Sequence, residues 1–223
     1  MPHSVLIQEI GFITHNVLRI KTERPTNYNF EPGQATDVAV DRIKWRDEKR
    51  VFTFTSLPKD GFLEFVIKVY PSHDGMTDVL QTVEAGEHLL LDEPWGAISY
   101  KGAGVFLAGG AGITPFIAIL KDLATKNALA GNKLLFSNKR ERDIILASDF
   151  QKWLGKDFIT TLSDEKNSRH EYGRINKEFI KNNIDTIDQY FYMCGPPSMT
   201  KALTQDLKDL GVSQNKMIGE KFS

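Results

Sequence analysis

The stretch Val105-Phe106-Leu107-Ala108-Gly109-Gly110-Ala111-Gly112-Ile113-Thr114-Pro115 decides how this chain is read. Its apolar residues run straight into a glycine cluster, and Thr-Pro then opens the helical pattern Phe116, Ile117, Ile119, Leu120 and Leu123. An unbroken apolar run suits a strand buried on both faces, as in a parallel sheet. The glycines permit positive φ and let a ligand approach the main chain. Thr114 is expected to cap the helix, with Pro115 in the first turn, where a missing N–H is no loss. A strand, a glycine turn and a helix start together make a place for a phosphate. The spacing Gly110-x-Gly112-x-x-Pro115 carries proline where the general dinucleotide fingerprint has its third glycine. Ser137, Asn138, Lys139 and Arg140 stand at the end of the next strand, so the ribose-binding carboxylate of that fingerprint is absent there. A nucleotide turn and a plain tight turn both stay open on this stretch alone.

Downstream of Lys101-Gly102-Ala103-Gly104, strands expected at 105–108, 133–137, 158–162 and 190–194 alternate with helices at 114–126, 148–154, 176–182 and 198–210. This is the βαβ rhythm of a doubly wound parallel α/β sheet. Upstream, residues 4–100 read as β-rich: strands at 5–7 and 17–20 with a turn over 11–16, then strands at 35–40, 50–57, 62–69 and 87–91. The 62–69 segment is expected to be the hairpin partner of 50–57, and 77–83 a short helix. Short strands with regular turns point to a small antiparallel β-barrel. The expected fold class is therefore β + α/β, with one domain over 1–100 and a second over 101–223.

Composition narrows the function. With 223 residues, 41% hydrophobic, 26% charged and a net charge of −1, the chain is an ordinary globular protein. That balance gives no support to a nucleic-acid or membrane-surface partner. A single cysteine, Cys194, excludes an intrachain disulfide and a four-cysteine zinc or iron–sulfur site within the chain, and no metal is expected. It fits a reducing, cytoplasmic setting. The opening Met1-Pro2-His3-Ser4 lacks the basic-then-apolar pattern of a signal peptide. No apolar run approaches the ~20 residues that span a bilayer. The charged clusters at 44–50, 139–143 and 164–169 are read as solvated loops.

Three further motifs line up with the glycine turn: Arg50-Val51-Phe52-Thr53, then Gly75-Met76-Thr77, and, after Gly110 to Pro115, Cys194-Gly195-Pro196-Pro197. In this order the chain resembles the ferredoxin–NADP reductase superfamily of flavoenzymes over nearly its whole length. The resemblance implies an FAD-binding barrel followed by a nicotinamide-nucleotide domain. Arg50, Phe52 and Thr53 match the flavin motif, with Phe54 and Thr55 beside them; Gly75, Met76 and Thr77 match the turn that holds the flavin pyrophosphate. FAD is expected over FMN because Arg50 and this turn suit a pyrophosphate. Phe52 would cover the flavin face and Thr53 would hydrogen-bond near its reactive nitrogen. Lys68 and Tyr70 are flanking contacts or else a solvent-facing Lys and a packed Tyr, and Trp95-Gly96 is either the family's aromatic turn or a hydrophobic plug. Gly110, Gly112, Thr114 and Pro115, with Cys194, Gly195 and Pro196, would serve the nicotinamide nucleotide, with Thr114 and Cys194 near the ring. Glu220 and the penultimate Phe222 would approach the flavin from the C-terminus.

Choice between NADH and NADPH falls on the loop that begins Ser163-Asp164-Glu165. Asp164 can accept from both ribose hydroxyls of NADH and repels a 2′-phosphate, while Lys166 and Arg174 pull the other way; NADH is preferred. The resemblance implies a flavin-dependent NAD(P)H oxidoreductase that passes electrons to a separate acceptor such as flavodoxin, ferredoxin or an oxygenase component. The alternatives are a flavin-binding relay or regulatory subunit without its own NAD(P)H turnover, and a flavin-free dehydrogenase with an unrelated β domain.

Overall fold

The computed structural model describes residues 2–70, 75–96 and 98–219. Its strands form two six-stranded sheets, one from each half of the sequence. The first is antiparallel and contains β1 (His3–Thr14), β2 (Val17–Glu23), β3 (Ala35–Val40), β4 (Arg50–Thr53), β5 (Phe62–Lys68) and β6 (His88–Leu91), in the order β4-β3-β6-β1-β2-β5. Its edge strands meet at an isolated Phe54–Phe65 bridge, and the Thr55 N–H donates to the Glu64 carbonyl at 2.8 Å, so the sheet closes into a barrel. Inward alternation of Leu63, Phe65 and Ile67 meets Ile7, Ile20 and Val38 in the barrel core. One end is plugged by Met76 and Leu80 from the short helix α1 (Met76–Val79) and the 3-10 turn Leu80–Thr82 that continues it.

Three expectations change here. Residues 11–14 belong to β1, and the chain reverses only at His15 and Asn16, because bulges near Ile7 and Phe12 let one long strand bend around the barrel. The partner of β5 is β2, over seven residue pairs, while β4 pairs with β3. The chain leaves the ladder after Thr53 to turn a corner, where the Leu57 N–H donates to Asp60 and the Glu64 N–H to Ser56. The expected 77–83 helix is a single α turn followed by a 3-10 turn.

The second sheet is parallel throughout: β7 (Gly104–Gly109), β8 (Lys133–Asn138), β9 (Phe158–Leu162), β10 (Glu171–Tyr172), β11 (Tyr190–Cys194) and β12 (Met217–Gly219), in the order β10-β9-β8-β7-β11-β12. Every β7 residue is buried, as its apolar run requires. On one face α2 (Thr114–Thr125) and α3 (Ala147–Leu154) bring Phe116, Leu120 and Phe150 onto Phe106 and Phe136. On the other, α4 (Lys177–Asn183) and α5 (Pro197–Asp209) bring Ile180, Leu203 and Leu207 onto Val105 and Leu107. The edge strands β10 and β12 were not anticipated; two or three residues are too few to show a period.

Strand order reverses between β7 and β11, which leaves a crevice at their carboxyl ends, the usual ligand position in such sheets. The barrel packs beside it: Val17, Val66 and Ile98 share an apolar cluster with Ile113, Phe116 and Ile117. The Tyr192 hydroxyl, whose pKa burial raises, ties the linker by accepting from the Lys101 and Gly102 N–H groups and donating to the Gly102 carbonyl.

Candidate functional site

Two main-chain turns meet at this crevice. After β7, Gly110–Ile113 forms a 3-10 turn that runs directly into α2. Gly110 has φ +52°, and a Cβ there would meet nothing within 4 Å among the described residues. A Cβ on Gly112 would lie 2.3 Å from the Cys194 carbonyl oxygen and 2.5 Å from the Gly195 nitrogen. Only glycine lets the two turns touch through their backbones.

Thr114 does not cap the helix. The 3-10 turn is continuous with α2, so Thr114 already has αR dihedrals and no extended residue precedes it to carry a capping side chain. Its hydroxyl instead donates back to the Ala111 carbonyl at 3.1 Å. Pro115 does lie in the first turn. Across the crevice, Cys194 is buried at the end of β11, and the half-buried Gly195 and exposed Pro196 lead into α5. Neither α2 nor α5 has a side-chain cap; at α2 the Thr114 N–H already donates to the Ala111 carbonyl and Pro115 has no N–H, whereas in α5 the Met199 and Thr200 N–H groups donate to the Pro196 carbonyl and the Ser198 N–H comes before that acceptor.

On the barrel, β4 presents Arg50, Phe52 and Thr53. Arg50 is exposed; its Nη1 donates to the Lys49 carbonyl at 2.7 Å and its Nη2 lies 3.8 Å from Glu48. Phe52 is half-buried and Thr53 is buried. Phe54 and Thr55, placed at the same site from the sequence, turn away from it. Phe54 stacks on Phe30 in the barrel core at 4.4 Å between ring centres, and the Thr55 hydroxyl donates to Glu64 at 2.9 Å. β4 ends at Thr53, and the chain that carries Phe54 and Thr55 has already turned toward β5, where the Phe54–Phe65 bridge and the Thr55 N–H bond to Glu64 hold both in the barrel seam.

The same split divides Gly75, Met76 and Thr77: the Met76 side chain is core, whereas Gly75 and Thr77 are half-buried at the start of α1. Asp78 and Val79 donate their N–H groups to the Gly75 carbonyl, and the N–H groups of Met76 and Thr77 come before that first acceptor. Lys68 is half-buried, with Nζ 5.9 Å from the centre of the exposed Tyr70 ring. Trp95 bridges to Ala35 and its indole N–H donates to Asp37 at 2.8 Å. Glu220 and Phe222 lie outside the described residues.

Beyond the glycine turn, Asp164 and Arg174 are exposed at the ends of β9 and β10. Ser163 donates to the Asp164 carboxylate at 2.6 Å, and the Asp164 N–H donates to the Lys139 carbonyl at 2.9 Å. The clusters at 139–143 and 164–169 are therefore not independent solvated loops. Parallel neighbours β8 and β9 release them side by side, and Arg169 donates to Glu141 at 2.7 Å. Asn138, at the end of β8, was also missed as a buried residue; neither its amide nitrogen nor its amide oxygen has a hydrogen-bond partner among the described residues. No sequence signal pairs Glu141 with Arg169, because only strand order makes their loops neighbours.

The residues fit the groups that the motifs imply. Gly110 and Gly112 let a phosphate-bearing nucleotide approach the main chain, and the exposed Arg50 fork, with the N–H groups of Met76 and Thr77 at the start of α1, suits a second pyrophosphate. Among the described residues, no three His, Cys, Asp or Glu side chains group as a metal site, and no helix is long and apolar enough to cross a membrane.

Known proteins match this arrangement half by half. The family model of the oxidoreductase FAD-binding domain matches residues 5–100, and that of the oxidoreductase NAD-binding domain matches residues 106–205. The toluate 1,2-dioxygenase electron transfer component of Pseudomonas putida is 23% identical over 92% of this chain, which spans 62% of that relative's length. NADH-cytochrome b5 reductase 1 of Aspergillus terreus is 26% identical over 96% of this chain and 80% of its own. Among solved structures, a Neisseria gonorrhoeae ferredoxin NADP+ reductase with bound FAD and NADP superposes with a TM-score of 0.85 at 21% identity, covering 98% of each chain. The FAD/NAD-binding domain of a Vibrio cholerae nitric oxide dioxygenase gives 0.86 at 20% identity, again covering 98% of each.

Proposed function

Because this chain belongs to the ferredoxin–NADP reductase superfamily, we propose that it is an FAD-dependent NAD(P)H reductase that delivers electrons to a separate acceptor. The observation that carries this reading is the meeting of the two glycine turns at the strand-order switch, beside a barrel whose β4 offers an exposed arginine. A domain boundary near residue 100 is part of the same proposal.

When bound, the flavin supplies the step from a two-electron hydride donor to an acceptor. The chain's own residues bind and orient. Arg50 would grip the flavin pyrophosphate as a planar fork, helped by the N–H groups of Met76 and Thr77. Phe52 would cover the ring and Thr53 donate beside it, with Lys68 and Tyr70 flanking. Gly110 and Gly112 would admit the nicotinamide nucleotide close to the main chain, with Pro115 shaping the helix start. Thr114 and Cys194, with Gly195 and Pro196, would position its ring. Holding the two rings in register removes much of the entropic barrier to transfer. Asp164 would accept from the adenosine ribose, favouring NADH, with Arg174 nearby.

The acceptor proposal rests on relatives named as electron-transfer components of oxygenases, and this chain's one cysteine leaves no iron–sulfur set of its own. An oxygenase component, a ferredoxin or a flavodoxin is the class of partner. The single thiol also suits a reducing cytoplasm. Anaerobic titration of the purified protein with NADH and NADPH in parallel tests the reading: a yellow protein should bleach, at lower NADH than NADPH. Flavin that neither nucleotide bleaches would make it a relay subunit, and colourless protein that binds no added FAD would make it a flavin-free dehydrogenase.

A further inference from the structure

The barrel and the nucleotide domain share the apolar seam of Val17, Val66 and Ile98 with Ile113, Phe116 and Ile117, and among the described residues two ion pairs cross it. One joins Lys121 of α2 to Asp60 in the barrel corner at 3.7 Å. The other joins His15, in the turn between β1 and β2, to Asp143, in the 3-10 turn Glu141–Asp143 that follows β8; His15 Nε2 lies 3.5 Å from Asp143 Oδ1. The two pairs differ in what can change them. A lysine keeps its charge across neutral pH, whereas histidine is the side chain whose charge changes between pH 5 and 8.

Asp143 has little else to answer its charge. Its side chain is only 14% exposed, and its second oxygen, Oδ2, accepts the Arg140 N–H at 3.0 Å. Arg140 and Arg142 belong to the same turn, yet among the described residues no lysine or arginine nitrogen lies within 4.0 Å of this carboxylate, and Glu141 is engaged with Arg169 and His170. On the barrel side, Thr14 and Asn16 flank His15, carry no charge and bond to each other. A mostly buried carboxylate thus faces one titratable cation across the domain boundary. We propose that His15 is a positioning residue for hydride transfer: when charged it pins Asp143, holds the nucleotide domain in register with the barrel, and so makes transfer faster at pH 6 than at pH 8. This rests on the reading above that each domain holds one of the two reacting rings, whose alignment governs the rate.

Anaerobic stopped-flow bleaching of the FAD-loaded protein at saturating NADH, at pH 6 and pH 8, tests it. Because His15 is 40% exposed, the wild-type rate should fall by only about threefold between the two, the size of a partly screened pair. His15→Lys, charged at both, should keep the pH 6 rate at pH 8. His15→Gln should run at the lower rate throughout. The NADH concentration giving half the maximal rate should stay within about twofold in every variant, since the effect is on alignment and not on binding. Asp143→Asn keeps an oxygen for the Arg140 N–H, removes the pH difference, and should leave His15→Lys no faster than His15→Gln. A pH ratio that persists in His15→Gln, or a lysine gain that survives Asp143→Asn, would overturn the proposal while leaving the reductase reading in place. Wild-type flavin that NADH does not bleach at either pH would overturn both.

Discussion

The two halves of the candidate site are built from different materials. At the β7–β11 crevice, main chain touches main chain, and a Cβ on Gly112 would reach within 2.3 Å of the Cys194 carbonyl. On the barrel, Arg50 is an exposed side chain that among the described residues donates to its neighbour's carbonyl and lies 3.8 Å from Glu48. The crevice half is therefore shaped by backbone packing, whereas Arg50 on the barrel half is spared by it. Substitutions should separate stability from binding along that line.

Gly112→Ala should show the largest effect, a loss of about 3 kcal/mol of stability through overpacking against backbone that cannot rotate away. Gly110→Ala is its control: the φ of +52° costs a side chain about 1–2 kcal/mol, but its Cβ meets nothing within 4 Å. Urea unfolding of the two variants compares them directly. Equal losses would mean that the contact between the turns is not what fixes the crevice.

Arg50→Ala should do the opposite. Because Arg50 is exposed, the flavin-free protein should keep its stability to within about 0.5 kcal/mol. FAD affinity should fall by tenfold or more, as hydrogen bonds to a charged group contribute about 1.5–3 kcal/mol. ADP binding should not change. A matching loss of FAD and ADP affinity would dissolve the distinction between the halves.

The smallest effect is expected away from both ligands, where Arg42 forms paired contacts with Glu87 at 2.9 Å across the barrel. The Arg42 hydrogen bonds, followed by one from the Glu84 N–H, hold the Glu87 carboxyl below its ordinary pKa. A depressed folded-state pKa means stability that is present above the unfolded carboxylate value and lost as pH falls through the folded one. Because the pair is about one-third exposed, solvent screening should keep its contribution below about 1 kcal/mol. Denaturation of wild type and Glu87→Gln at pH 7 and pH 3 should show a gap at pH 7 that narrows at pH 3. A gap that widens on acidification would reverse the sign.

Much of this was legible before any coordinates. The run from Val105 to Ala108 is apolar at every position, and only a strand covered on both faces satisfies that. Leu63, Phe65 and Ile67 alternate, as one buried face of a strand requires. Partner choice was not legible: β5 reads as a hairpin mate for β4, yet the corner at 54–61 sends it to β2. Phe54 and Thr55 share a motif with Arg50 and Phe52 but are fully buried in the barrel seam, because β4 ends at Thr53. Thr114 has the right chemistry for a cap, but the preceding 3-10 turn removes the geometry a cap needs.

The sequence by itself determined the two classes of sheet, the place of the glycine turns and the order of the binding motifs. These depend on local periodicity and on residue types with few conformational alternatives, which neighbouring residues suffice to specify. Only the tertiary structure decided which turn touches which, and that Glu141 from one loop takes Arg169 from another. Those contacts join residues tens of positions apart, and they exist because β7 lies between β8 and β11 while β8 lies beside β9. Strand order is settled by burying both faces of the whole sheet at once, a sum over many side chains that no single stretch contains.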